Sequence, residues 1–193
     1  MSGKNILGTR DLVLCALFSA LIAVGAFIRI PLPMLPVPLT LQFFFSNLAA
    51  LILGRRRGAF AAAGYVLAGL AGLPIFAGGS GGIAYVLHPT FGYLVGFIAG
   101  AWTAGFVAER LSPGMKTWMI AGGANLAMLY FLGLLHFYFI SNLYLGKPIG
   151  LSALIYSCCL VFLPGDLLKC LLGAVLAERL RITLPEKLLR GAP

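Results

Sequence analysis

Asp166 and Lys169 lie in the run PGDLLKCLLGAVLAERL, residues 164–180, where almost every neighbour is apolar. At a spacing of i, i+3 an acid and a base project from one face of a helix. There they neutralise one another when nothing is bound, and they offer a polar guest both acceptors and donors. A charged side chain within a membrane helix costs about 2.5–3.5 kcal/mol on insertion scales, so function is the default reading of such a pair. Fixing helix packing is the alternative. The chemistry suits a binding site for a small polar solute.

Other polar residues carry weaker signals. The run GGSGG, residues 78–82, formally fits a G-x-S-x-G nucleophile turn, with Ser80 as nucleophile and His88 or His136 as base. No strand precedes it and the glycines alone account for a tight turn, so an intramembrane serine hydrolase is the weaker reading. A glycine loop with bare backbone N–H groups is better suited to closing over a ligand. Two histidines, with no carboxylate or cysteine at useful spacing, do not make a metal site, and no cofactor is expected. Cys15, Cys158, Cys159 and Cys170 all stand in apolar stretches and read as packing residues. Gln42, Asn47 and Asn125 interrupt apolar spans. Each has a bland role as a bond between helices, worth about 0.6 kcal/mol. Gln42 has the best depth for a ligand contact. Ala16 and Ala20 form a small-x-x-x-small pair that lets another helix approach closely.

The elements that position these residues are membrane helices. Of 193 residues 61% are hydrophobic and 10% charged, with a mean hydropathy of +1.00; soluble domains carry about 25% charged residues. The net charge of +9 does not point to nucleic acid, because the charges fall in short loops between apolar runs. The apolar run after Lys4 and Arg10 is long enough to span, so it reads as a first helix and not as a signal peptide. Spans are expected at about 12–30, 39–53, 58–73, 91–107, 118–140 and 166–180, within a single membrane domain, residues 1–193. Pro164-Gly165 divides the last apolar stretch, leaving 151–163 as a cap or re-entrant piece. The proline-rich IPLPMLPVP, residues 30–38, and the glycine loop, residues 76–90, cannot be regular helix.

Six spans place both termini on one side. Lys4, Arg10, Arg55, Arg56, Arg57, Arg110, Lys116, Arg179, Arg181, Lys187 and Arg190 fall at one set of ends, against Arg29 and Lys147 at the other. The positive-inside rule makes the first set cytoplasmic. The proline stretch, the glycine loop, residues 141–163 and Asp166 then share the outer side. Irregular backbone at membrane depth survives only where protein buries it or it lines a cavity. An outward-facing pocket roofed by loops follows. No P-loop is present: GKN at 3–5 and GKP at 146–148 lack the upstream glycine and the Ser/Thr. A binding protein of this kind needs a partner to supply energy.

The ordered motifs PLPMLPVPLTLQ, LGRRRGAFAAAGYVLAGLAGLPIFAGGSGG, HPTFGYLVGF and PGDLLK closely resemble the BioY family, biotin-specific S components of energy-coupling-factor transporters, over nearly the whole chain. The family commonly reads GPTGGY where this chain has HPTFGY, so that His88 and Phe91 replace glycines. The resemblance implies an all-α, six-helix S-component fold in the plasma membrane of a prokaryote and a biotin pocket near the outer face. It also implies a transmembrane coupling protein and two cytoplasmic ATPases as partners, with no catalysis by the chain itself. Asp166 and Lys169 match the family's ligand-site acid and lysine, and Ala16 and Ala20 match its face toward the coupling protein. On this reading Asp166 accepts polar hydrogens, Lys169 donates, and backbone at Gly78, Gly79 and Gly82 closes the site. Tyr85 and Tyr93 form walls with polar tips. An S component for another vitamin and the Ser80 hydrolase are the rival readings.

Overall fold

The computed structural model describes residues 8–30, 35 and 37–183. Lys4, Lys187, Arg190 and most of the proline-rich stretch (31–34 and 36) lie outside the described residues, as does the side chain of Arg181. The chain is nearly all helical. It runs α1 Thr9–Phe27, a two-residue hairpin of β1 Arg29–Ile30 and β2 Leu39–Thr40, α2 Gln42–Leu53, α3 Arg55–Leu70, α4 Phe91–Arg110, α5 Met115–Phe139, α6 Leu151–Ile155 and α7 Leu163–Thr183. A 3-10 turn, Ile83–Leu87, leads into α4; π-helical turns follow α5 (Ile140–Tyr144) and α6 (Tyr156–Leu160).

Among the described residues four segments are long and apolar enough to cross a membrane: Thr9–Phe27, Phe91–Arg110, Met115–Tyr144 and Leu151–Leu180. At 12 residues α2 reaches only about 18 Å, well short of a hydrocarbon core of about 30 Å. It compensates by position. Packed against α1, α3, α4, α5 and α7, it buries Gln42, Ser46 and Asn47 together with its apolar residues. The layer above its first turn is filled by the β1–β2 hairpin, paired Arg29 with Thr40 and Ile30 with Leu39. Residues 39–40, expected as the start of a helix, are therefore strand.

Two further boundaries differ from the expectation. Arg55, Arg56 and Arg57, expected between the spans 39–53 and 58–73, open α3, and only Gly54 separates them from α2. Gly54 makes this possible with φ of 82°, a conformation that favours glycine. Glu109 of α4 accepts the Arg55 backbone N–H at 2.9 Å, satisfying one of the orphan donors of the new helix. Pro164-Gly165 does not break the chain either. Pro164 stands at the start of α7, where its missing N–H removes no helical bond, and the interruption is the turn at Val161–Phe162.

The ends of the helices opposite the hairpin are tied by polar contacts. Arg57 pairs with Asp11 at 2.8 Å, Arg55 with Glu109 at 3.1 Å, and the Trp118 indole N–H donates to Glu178. Between α4 and α5 the helices meet along Gly92, Gly96 and Gly100; a Cβ at any of them would lie 3.0 Å or less from α5 atoms. Small residues at i, i+4, i+8 allow this approach of backbones in lipid.

Candidate functional site

Beside α2, beneath the hairpin and the glycine loop, lies a cavity of about 190 Å³. Its walls are apolar and aromatic: Phe43 from α2, Tyr93, Leu94 and Phe97 from α4, Leu129 from α5, and Phe162 just before α7. Asp166 and Lys169 line its buried end, with relative exposures of 6% and 7%. Lys169 Nζ lies 2.6 Å from Asp166 Oδ1. The Tyr130 hydroxyl of α5 donates to Asp166 Oδ2 at 2.6 Å. A buried carboxylate is tolerable only when paired and hydrogen-bonded, and both of its oxygens are engaged here. Lys169 retains two further N–H donors and the carboxylate further lone pairs, so the pair can serve an uncharged group that both donates and accepts.

The remaining polar groups are held by a network around this end. Gln42 donates from Nε2 to the Tyr65 hydroxyl at 2.6 Å, and Tyr65 donates to the Ile75 carbonyl at 3.1 Å. Thr40 Oγ1 donates to Gln42 Oε1 at 3.1 Å. The Tyr93 hydroxyl donates to the carbonyl of Cys158, in the π-helical turn Tyr156–Leu160, at 2.9 Å. On the loop side, the Tyr85 hydroxyl and His88 Nδ1 both meet Thr90 Oγ1, at 2.9 and 2.7 Å. The Tyr85 and His88 rings stack at 4.7 Å. Partial desolvation lowers the pKa of His88 from its ordinary value.

Five of the eight residues expected to contact substrate thus line one cavity: Asp166, Lys169, Gln42, Tyr85 and Tyr93, joined there by His88. Gly78, Gly79 and Gly82 are not in its lining; their neighbour Ala77 is. All three have positive φ. The N–H of Gly79 donates to Phe76 and that of Gly82 to Gly69, so both are spent in folding the loop. The loop is anchored by Phe76, fully buried between Tyr65 and Tyr85. Ser80 Oγ donates to the Ala77 carbonyl at 3.2 Å, while His88 is turned to Thr90 and His136 Nε2 to the His88 carbonyl. Among the described residues no base is hydrogen-bonded to Ser80, so the nucleophile–base pair a serine hydrolase needs is not formed. Asn47 and Asn125 bond each other at 3.0 Å, outside the cavity lining. Ala16 and Ala20 lie on an exposed face of α1.

Sequence reasoning missed Tyr130, Thr40, Thr90 and Arg29 as cavity residues. A tyrosine inside an apolar span was the available signal for Tyr130. Nothing local marked the others, because hairpin and loop bring them in from distant positions.

The helices and the charge-paired cavity define a multi-pass membrane protein with a solute-sized site. The BioY family profile matches residues 1–186. A biotin transporter BioY of Thermotoga maritima is 42% identical over 176 residues, covering 89% of this chain and 96% of that one. A probable biotin transporter BioY of Lysinibacillus sphaericus is 41% identical over 173 residues, covering 89% and 87%. The crystal structure of the S-component for biotin from an ECF-type ABC transporter superposes with a TM-score of 0.81 at 29% identity, covering 98% of this chain and all of that one. The chain belongs to the BioY family. Its relatives are named as transporters, not enzymes.

Proposed function

We propose that this protein is the substrate-binding membrane subunit of a biotin uptake transporter. It captures biotin at the outer face of a prokaryotic plasma membrane and works with a transmembrane coupling protein and two cytoplasmic ATPases. The observation that carries this reading is the Tyr130–Asp166–Lys169 cluster at the buried end of an aromatic cavity, in a chain whose relatives carry biotin in their names. Biotin presents a cyclic urea, an apolar thioether ring and a carboxylate on a flexible chain. A urea has two N–H donors and one carbonyl acceptor, which Asp166 and Lys169 complement. The thioether ring and aliphatic chain fit walls of Phe43, Tyr93 and Phe97. Gln42 and Tyr85 shape the wall, and the turn at Gly78, Gly79 and Gly82 places the loop over the site.

Calorimetry of the purified protein in detergent tests this. Tight biotin binding by wild type, lost in Asp166→Asn and in Lys169→Ala, supports function and pocket together. A folded wild type that fails to bind biotin sinks the assignment in favour of another vitamin. Binding that survives both substitutions assigns the pair to helix packing alone.

A further inference from the structure

The rim of the cavity carries a cation that the cluster at its buried end does not use. Arg29, on β1, lines the cavity and is exposed. It makes no ion pair or hydrogen bond among the described residues. Its Nη1 lies 3.0 Å from where a Cβ on Gly78 would stand, so the bare backbone of the glycine loop leaves room for the guanidinium over the rim. The hairpin register Arg29 to Thr40 fixes its backbone beside another cavity residue. Thr40 has no proton to offer an anion, since its hydroxyl donates to Gln42.

Charge decides what this arrangement takes. Asp166, Lys169, Arg29 and the histidine His88 are the titratable or charged side chains other than tyrosine and cysteine in the cavity lining, and Asp166 and Lys169 already cancel at the buried end. The excess positive charge sits at the rim. An anionic group pushed to the buried end would meet the Asp166 carboxylate in a poorly hydrated site, where like charges repel most strongly. At the rim the same group meets Arg29, whose planar fork matches a carboxylate with two parallel hydrogen bonds.

We propose that Arg29 holds the carboxylate of the ligand at the outer rim, so that the molecule enters with its neutral cyclic head toward Asp166 and Lys169. The inference rests on the reading of biotin as ligand and adds its orientation and the residue that sets it. It predicts selectivity for acids with a neutral polar head over the corresponding amides and esters.

Calorimetry on the full chain with two ligands, biotin and its carboxamide, tests it. Wild type binds the carboxamide about ten- to 150-fold more weakly than biotin, the range for loss of one charge-assisted contact. Arg29→Gln weakens biotin by a similar factor and leaves the carboxamide unchanged, which also reports that the variant is folded. Arg29→Lys falls between, keeping the charge and losing the fork. Equal binding of the two ligands by wild type overturns the assignment. So does an Arg29→Gln change that weakens both ligands alike or neither. A wild type that binds neither ligand overturns the parent reading and this one with it, an outcome distinct from the others.

Discussion

At the scale of single residues, the pair Asp166–Lys169 is expensive to bury and, on the proposed function, useful for that reason. Its two side chains are each 9% exposed, and removing one partner strands the other. Lys169→Met is expected to lower stability by about 3–5 kcal/mol, the cost of an uncompensated buried charge. The double change Asp166→Leu with Lys169→Met restores much of that loss, because well-packed apolar side chains replace buried pairs with little penalty. On the proposed function, it is expected to leave biotin binding abolished. Thermal unfolding in detergent beside calorimetry measures both. A double variant as unstable as the single one would contradict the charge argument. Tyr130→Phe is milder: losing one hydrogen bond to a charged group costs about 1.5–3 kcal/mol, and the same melts report it.

At the scale of elements, glycine sets how close the helices come. The stripe Gly92, Gly96 and Gly100 brings α4 against α5, and this contact positions Tyr93 and Phe97 opposite Leu129 and Tyr130 in the cavity. A Cβ at Gly100 would lie 2.1 Å from Asn125 Oδ1 and 3.0 Å from the Asn125 carbonyl. Asn125 is itself fully buried and bonded to Asn47, so it has nowhere to retreat. Gly100→Ala is expected to destabilise by about 1–3 kcal/mol, as overpacking does. Gly123→Ala on the open side of α5, with nothing within 4 Å, is expected to be neutral or slightly stabilising, since alanine is the better helix former. Equal melting temperatures for the two variants would show that the stripe is not a close contact.

At the scale of the whole molecule, polar work is divided between two ends. Cavity, hairpin and glycine loop lie at one. At the other, Arg57–Asp11, Arg55–Glu109 and Trp118–Glu178 tie the helix ends together. The face of α1 bearing Ala16 and Ala20 also exposes Val13, Leu17 and Val24. It is apolar and nearly flat at its two alanines, which suits a neighbouring helix in lipid. On the proposed function, Ala16→Trp is expected to leave biotin affinity unchanged and to reduce biotin uptake severely in cells that hold the coupling protein and ATPases. Parallel calorimetry and uptake measure this; undiminished uptake would move the coupling contact off α1.

Membrane class and the charge imbalance between helix ends were legible in composition and spacing, because lipid imposes those constraints on each segment separately; the number of long apolar segments was not, since six spans were expected and four are found among the described residues. Asp166 and Lys169 stood out on the same ground, as charges within an apolar run. What only the tertiary structure decided was which distant residues share the cavity. Arg29 and Thr40 reach it because a short α2 leaves a layer that a hairpin fills. Tyr130 meets Asp166 across two helices. Gly78, Gly79 and Gly82 turn their chain into the loop's own bonds. Such pairings depend on packing between segments far apart in the chain, and a local pattern carries no trace of them.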